Sequence, residues 1–118
     1  VGKTAVVSED KIDAVTAVSG SGPAYFFLMA ETMVDAAVGL GLPRDTATTL
    51  VIQTMVGSAA MLDRSDESPN ELRAGVTSPG GTTAAAIAEL ERKGFRAALL
   101  DAIDAAKARG TALGSPAE

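Results

Sequence analysis

The sequence predicts an all-α domain of five to six helices that associates with a second copy of itself. Much of the 47% hydrophobic content is alanine, and aromatic residues make up only 3% of the chain. Alanine is the strongest helix former, and small side chains let helix backbones approach closely. Helix-start and helix-stop signals recur along the chain, and no segment has a convincing strand pattern.

The composition excludes several classes of function. The 118 residues suffice for one domain, and the net charge of −5 argues against binding to nucleic acid or to an anionic membrane surface. The chain contains neither Cys nor His. Disulfides, zinc–thiolate sites and His-dependent catalytic triads are therefore excluded, and we expect no metal site. The most apolar segment contains Glu31 and Asp35, so we expect no membrane span and a cytoplasmic protein.

The first two predicted helices differ in character. Ser8 reads as the N-cap of a helix that begins at Glu9, runs to Gly20 and carries Ile12, Val15 and Val18 on one side. The next helix, from Pro23 to Leu40, is apolar in nearly every direction around its axis. A helix of this kind must be buried on all sides, and a chain this short can hardly surround it. We therefore predict a homodimer built around the helix from Pro23 to Leu40.

The remaining helices are amphipathic or short. One runs from Pro43 to about Asp63, with an inward face of Leu50, Val51, Met55, Val56, Ala59 and Leu62. A capping box with Pro at the first helical position, Ser68-Pro69-Asn70-Glu71, starts a short helix that Gly75 ends. Two further helices are expected from about Thr83 to Lys93 and from Phe95 to about Arg109, followed by a frayed tail.

Two glycine-rich segments are candidates for binding. The first, from Gly20 to Tyr25, resembles a dinucleotide fingerprint only superficially, because Tyr25 occupies a glycine position and a helix precedes it. We interpret it as a tight corner between helices. The second, from Ser78 to Thr83, places Gly80 and Gly81 directly before a helix. Free N–H groups at a helix N-terminus attract anions, and the neighbouring hydroxyls add donors. A small carboxylate fits better than a polyphosphate, since the segment has no Lys or Arg; a plain N-cap with a flexible approach is the alternative.

Several motifs together resemble the pyrroline-5-carboxylate reductase family. The signature runs from Pro69 to Glu91 and includes Thr77-Ser78, Gly80-Gly81 and Thr83. The Gly20–Tyr25 segment and the sequence Gly39-Leu40-Gly41-Leu42-Pro43 also fit, so the resemblance extends from Asp10 to about Arg109.

The resemblance implies a function and a set of site residues. Such enzymes reduce 1-pyrroline-5-carboxylate to L-proline with NADPH or NADH. Their C-terminal helices interlock into a dimer, and some members assemble dimers into decamers. The loop that would bind the substrate here comprises Ser78, Pro79, Gly80, Gly81, Thr82 and Thr83. By motif position, Ser78, Gly81 and Thr82 would hold the carboxylate and Thr83 the imine nitrogen, while Gly75 and Val76 would approach the nicotinamide.

The resemblance also implies a division of the chain. Residues 1–9 would link to a preceding Rossmann domain that binds most of the cofactor, residues 10–112 would form the helical dimerisation and substrate-binding domain, and residues 113–118 a flexible tail. The isolated chain is then expected to be inactive, because it has no nucleotide-binding βαβ unit. Two alternatives are a non-catalytic helical dimerisation module and the helical domain of another imine or hydroxyacid reductase.

Overall fold

The computed structural model describes Ser8 and residues 11–114. These residues form helices joined by short turns, and none of them is in a strand. Helix α1 spans Ile12–Val15 and continues into a π-helical segment, Thr16–Gly20. The other helices are α2, Gly22–Gly39; α3, Arg44–Arg64; α4, Pro69–Gly75; α5, Thr82–Arg92; and α6, Phe95–Gly114. The all-α prediction is confirmed. The predicted helix start at Glu9 lies outside the described residues.

The chain divides into two compact units, of which one joins α1, the π-helical segment and the first turn of α2 to α6. Helix α6 packs against both α1 and the π-helical segment. The Thr111 hydroxyl donates to the Asp13 carboxylate at 2.8 Å, and Gly110 lies against the same carboxylate. Because this contact lies near its end, α6 continues to Gly114 and does not fray after Arg109; that part of the expectation was wrong.

The π-helical segment is a local departure from the predicted helix. Its wider turn is closed by a hydrogen bond from the Ser21 N–H to the Thr16 carbonyl, at 2.8 Å. A π-helix has more residues per turn than an α-helix, so it changes which side chains share a face. Ala17 is consequently the buried residue, whereas Ile12 and Val18, two of the three predicted for the apolar side, are exposed. The Tyr25 hydroxyl donates to the Ala17 carbonyl at 2.7 Å, which fixes the corner before α2.

The second unit contains the remainder of α2 together with α3, α4 and α5. Its core is small: Val34 of α2 packs with Ala47 and Val51 of α3. The turn between these helices is a Schellman motif, in which Gly41 has a φ of 102° and the Leu42 N–H bonds the Ala37 carbonyl. Arg44 and Asp35 form an exposed ion pair of 3.1 Å across the same turn.

Most of the apolar surface of α2 and α3 stays exposed in the single chain. On α2, Phe27 is 69% and Leu28 63% exposed, and Val34 alone is buried among the large apolar residues of that helix. On α3, the predicted inward face is largely open: Val51 is buried and Met55 half-buried, but Leu50, Val56, Ala59 and Leu62 are exposed. The described chain therefore leaves these apolar side chains without a packing partner.

Candidate functional site

The candidate site begins with α4, whose start follows from a complete capping box. The Ser68 hydroxyl accepts from the Glu71 N–H at 3.4 Å, and the Glu71 carboxylate accepts from the Ser68 N–H at 2.9 Å. The Ser68 hydroxyl also donates to the Glu71 carboxylate at 2.7 Å. The bond from the Ser68 N–H and then this one from its hydroxyl lower the pKa of the exposed Glu71 below its ordinary value. The box sets where α4 starts and therefore where the following loop begins.

A tight turn connects α4 to α5. Ser78, Pro79, Gly80 and Gly81 form it, closed by a hydrogen bond from the Gly81 N–H to the Ser78 carbonyl, at 3.1 Å. Pro occupies the second position and Gly80 the third, with a φ of 69°. This is the residue pattern of a type II β-turn, whose third position requires a left-handed backbone. Gly80 is therefore required by conformation.

Gly81 is required for a different reason. Its φ of −86° is open to any residue, but a Cβ there would lie 2.7 Å from the Ser78 hydroxyl oxygen and 3.3 Å from the Ser78 carbonyl oxygen. The Ser78 side chain thus lies over Gly81, which is the N-cap of α5. Because Gly81 has no Cβ, the Ser78 hydroxyl can lie close to the start of that helix.

The N-terminus of α5 presents unused donors beside this hydroxyl. The first helical hydrogen bond runs from the Ala85 N–H to the Gly81 carbonyl, at 3.1 Å, and no side chain caps the helix. The N–H groups of Thr82, Thr83 and Ala84 consequently lack helical acceptors, and the helix dipole adds positive potential. Thr82 is exposed and Thr83 half-buried, and neither hydroxyl bonds another group within the described residues.

The structure therefore brings Ser78, Gly81, Thr82 and Thr83 together at one helix N-terminus. Gly80 and Pro79 shape the turn that connects them. Gly75 ends α4 and Val76, 63% exposed, follows it. No atom lies within 4 Å of a Cβ built on Gly75, so this edge of the loop is open. The sequence motif includes Thr77 but gives it no role. In the structure its hydroxyl donates to the Arg73 carbonyl at 2.6 Å. The spacing of four residues between a Thr and a residue near the end of a helix is the sequence signal for such a bond.

Other candidate sites are weaker. A concavity of about 290 Å³ at the end of α3 is lined by Ala60, Met61, Arg64 and Ser65, none of which belongs to the predicted site. It offers a single charged group and no converging donors, so the open donors of α5 are the better candidate. Within the part of the chain that the structure describes, no acidic cluster could hold a metal ion, and no helix could cross a membrane.

Comparison with known proteins decides the family. The profile described as "Pyrroline-5-carboxylate reductase dimerisation" matches residues 9–113. The chain belongs to this family. A pyrroline-5-carboxylate reductase of Mycobacterium tuberculosis is 55% identical over 130 residues, covering 96% of this chain and 44% of that protein. The chain thus spans less than half the length of this curated relative.

Solved structures of reductases in this family have the same helical arrangement. An NADP-bound pyrroline carboxylate reductase of Plasmodium falciparum superposes with a TM-score of 0.89 at 39% identity, covering 92% of this chain and 44% of that one. A pyrroline-5-carboxylate reductase of Coxiella burnetii also gives 0.89, at 45% identity and with 94% and 41% covered. The recognition made from the sequence motifs is confirmed.

Proposed function

We propose that this chain is the dimerisation and substrate-binding part of an enzyme that reduces 1-pyrroline-5-carboxylate to L-proline with NADPH or NADH. The observation that carries the proposal is the Ser78 hydroxyl held over Gly81 at the uncapped N-terminus of α5. Hydroxyl and amide donors that converge on one point suit the carboxylate that the substrate and product share.

The proposed roles follow from position along the loop. Ser78, Gly81 and Thr82 hold the carboxylate, with Pro79 and Gly80 setting the turn. Thr83 lies at the second helical position and is half-buried, so its hydroxyl is available to bond the ring nitrogen. Two fixed points on one small ring determine which face of the C=N bond is presented, and such orientation lowers the activation barrier.

The chemistry requires few protein groups. The reduced nicotinamide, when bound, would supply a hydride to the carbon of the C=N bond. The nitrogen gains a proton from solvent, directly or through the Thr83 hydroxyl, so that imine, hydride and proton together give the secondary amine of the product. This chain needs to orient the imine, exclude other poses and keep the nitrogen hydrogen-bonded through Thr83. No Cys or His is required for these tasks, and the sequence contains neither.

We propose that the cofactor binds mainly outside this chain. The described residues are helical without a strand–turn–helix unit, and the Gly20–Tyr25 segment forms a helix corner. Gly75 and Val76 are open and adjacent to the loop, which fits a contact with the nicotinamide end. The proposed domain limits, a linker at 1–9, the helical domain at 10–112 and a tail at 113–118, follow the same division.

We also propose that the working form is a homodimer formed through α2. Its exposed Phe and Leu side chains form an apolar surface that needs a cover, and the family profile is itself one of dimerisation. The exposed apolar residues of α3 offer further surface for assembly of dimers, up to a decamer; native mass spectrometry of the full-length protein distinguishes these forms.

A binding experiment tests the loop assignment directly. In the dimer, L-proline is titrated while backbone amide signals from Ser78 to Thr83 are followed by NMR. We expect saturable shifts in the loop, and Ser78→Ala should weaken binding about ten-fold, since a hydrogen bond to a charged group contributes about 1.5–3 kcal/mol. Ser58→Ala, at an exposed position on α3, is the control.

An activity experiment tests the reaction. Full-length protein should form L-proline from 1-pyrroline-5-carboxylate and NADPH or NADH, whereas the isolated 118-residue chain should not. If L-proline caused no shifts in the amide signals of the loop, the result would support a purely structural dimerisation module. Turnover of a different imine or hydroxyacid alone would support the helical domain of another reductase, which family membership disfavours.

A further inference from the structure

Thr77 connects the end of α4 to the candidate substrate loop through two hydrogen bonds. Its backbone N–H donates to the Ala74 carbonyl at 3.1 Å, three residues back, and its hydroxyl donates to the Arg73 carbonyl at 2.6 Å. In a continuing α-helix, the N–H of Thr77 would itself bond the Arg73 carbonyl. Here the Arg73 carbonyl accepts from the Val76 N–H at 3.2 Å, and the Thr77 hydroxyl adds a second donor that ties Thr77 to the last turn of α4.

This bond constrains the direction of the loop. Thr77 is half-buried, whereas the next residue, Ser78, is exposed and begins the β-turn. The turn is held at its other end by Gly81, the N-cap of α5. Only the tight turn separates Thr77 from α5. We therefore expect a change in the backbone angles at Thr77 to move the hydroxyl of the adjacent Ser78.

We propose that Thr77 is a positioning residue for the substrate loop, holding Ser78 over the α5 N-terminus through its bond to the Arg73 carbonyl. The inference rests on the proposed function, because it concerns the same carboxylate site. Thr77 acts through Ser78 and does not itself contact the substrate. A loop held in its binding conformation before the substrate arrives avoids the ordering cost on binding.

The predicted effect of losing the hydroxyl falls on substrate binding. In Thr77→Val the side chain keeps its shape but cannot donate, so the first residues of the loop gain freedom. We expect KM for 1-pyrroline-5-carboxylate to rise about five- to ten-fold, with little change in KM for the cofactor. Thr77→Ser retains the hydroxyl and should restore KM to within about two-fold of wild type.

The test uses steady-state kinetics and thermal melts on the full-length protein. Thr48→Val is the matched control, because Thr48 is also half-buried and its hydroxyl also bonds a carbonyl four residues back, that of Arg44 at 2.8 Å. We expect Thr48→Val to keep wild-type KM. If Thr77→Val does not fold, Thr77→Ala, which has less bulk than valine, carries the same test.

The outcomes separate the two proposals. Wild-type KM in Thr77→Val overturns the positioning role while leaving the proposed function intact. A lowered melting temperature with unchanged KM shows that Thr77 is merely structural and overturns the role equally. Equal rises in KM in Thr77→Val and Thr48→Val would also overturn it. Wild-type protein that fails to reduce 1-pyrroline-5-carboxylate overturns the proposed function itself.

Discussion

Thr83 is the residue whose hydroxyl should matter most for turnover. It occupies the first turn of α5, half-buried and without a hydrogen-bond partner within the described residues. Thr83→Ala should lower kcat/KM about ten- to a hundred-fold, because one lost hydrogen bond to a charged group costs about 1.5–3 kcal/mol. Thr83→Ser should retain most activity. Steady-state kinetics on the full-length variants beside a thermal melt provide the measurement; wild-type kcat/KM in Thr83→Ala would refute the assignment.

Gly81 offers a steric test at the same scale. In Gly81→Ala, the added Cβ meets the Ser78 hydroxyl oxygen at 2.7 Å, so that side chain must rotate away from the α5 N-terminus. We expect a rise in KM for the substrate of about ten-fold or more, through loss of one donor to a charged group. Gly57→Ala is the control, since nothing lies within 4 Å of its Cβ on α3 and alanine favours helix. Unchanged KM in Gly81→Ala would contradict the role given to Ser78.

The sequence indicates which residues form the candidate site, but it does not give the geometry of the loop. Gly80, Gly81 and the flanking hydroxyl residues form a recognisable motif before a helix. Which glycine is needed for its φ and which for a missing Cβ depends on where the Ser78 side chain turns, and that is decided in three dimensions. The bond from Thr77 to the Arg73 carbonyl is local, by contrast, and its spacing of four residues is a signal that the sequence does contain.

At the scale of elements, α4 owes its start to the capping box and should be sensitive to acid. The pKa of Glu71 is lowered in the folded chain from an ordinary value of 4.5. A lowered folded pKa means that the stabilisation is complete above that ordinary value and is lost as pH falls through the folded one. Melting curves at decreasing pH should therefore show the box's contribution disappear below about pH 4.5. Glu71→Gln should flatten this part of the dependence.

Ser68→Ala is the companion variant for that measurement. Removing the N-cap hydroxyl should destabilise the protein by about 1 kcal/mol at neutral pH. Ser58→Ala, exposed on α3 and outside any cap, should keep the melting temperature or raise it slightly, because alanine favours helix. Equal melting temperatures for Ser68→Ala and wild type would show that the box contributes nothing to stability.

Elements with local signals were predicted well, and elements shaped by distant contacts were not. The capping box and the Gly-Pro turns mark α2, α3 and α4 within one or two residues. The π-helical segment has no comparable sequence signature. The length of α6 depends on Asp13, which bonds Thr111 from the other end of the chain, so a glycine at position 110 gave a misleading stop signal.

At the scale of the molecule, the exposed apolar residues predict that association contributes to folding. Phe27 is 69% exposed in one chain, and the buried core of its unit is only three residues. We expect the melting temperature to rise with protein concentration, as for a dimer whose monomer is barely stable. Phe27→Glu should shift sedimentation from dimer toward unfolded or aggregated chain, whereas Glu31→Gln, at an exposed polar position of the same helix, should not. A folded monomer of wild type at micromolar concentration would rule out an obligate dimer.

Gly80 gives the loop a handedness. Its φ of 69° lies in the left-handed region that a D-amino acid prefers, so this position of the candidate substrate loop has a backbone conformation that L-residues rarely adopt. An L-alanine at position 80 would find space but would carry a conformational cost of about 1–2 kcal/mol. A D-alanine introduced by chemical ligation would instead favour the folded turn, because it restricts the unfolded chain to the conformation already in use. The conformation of a single backbone position thus contributes to how well the loop is ordered before any ligand binds.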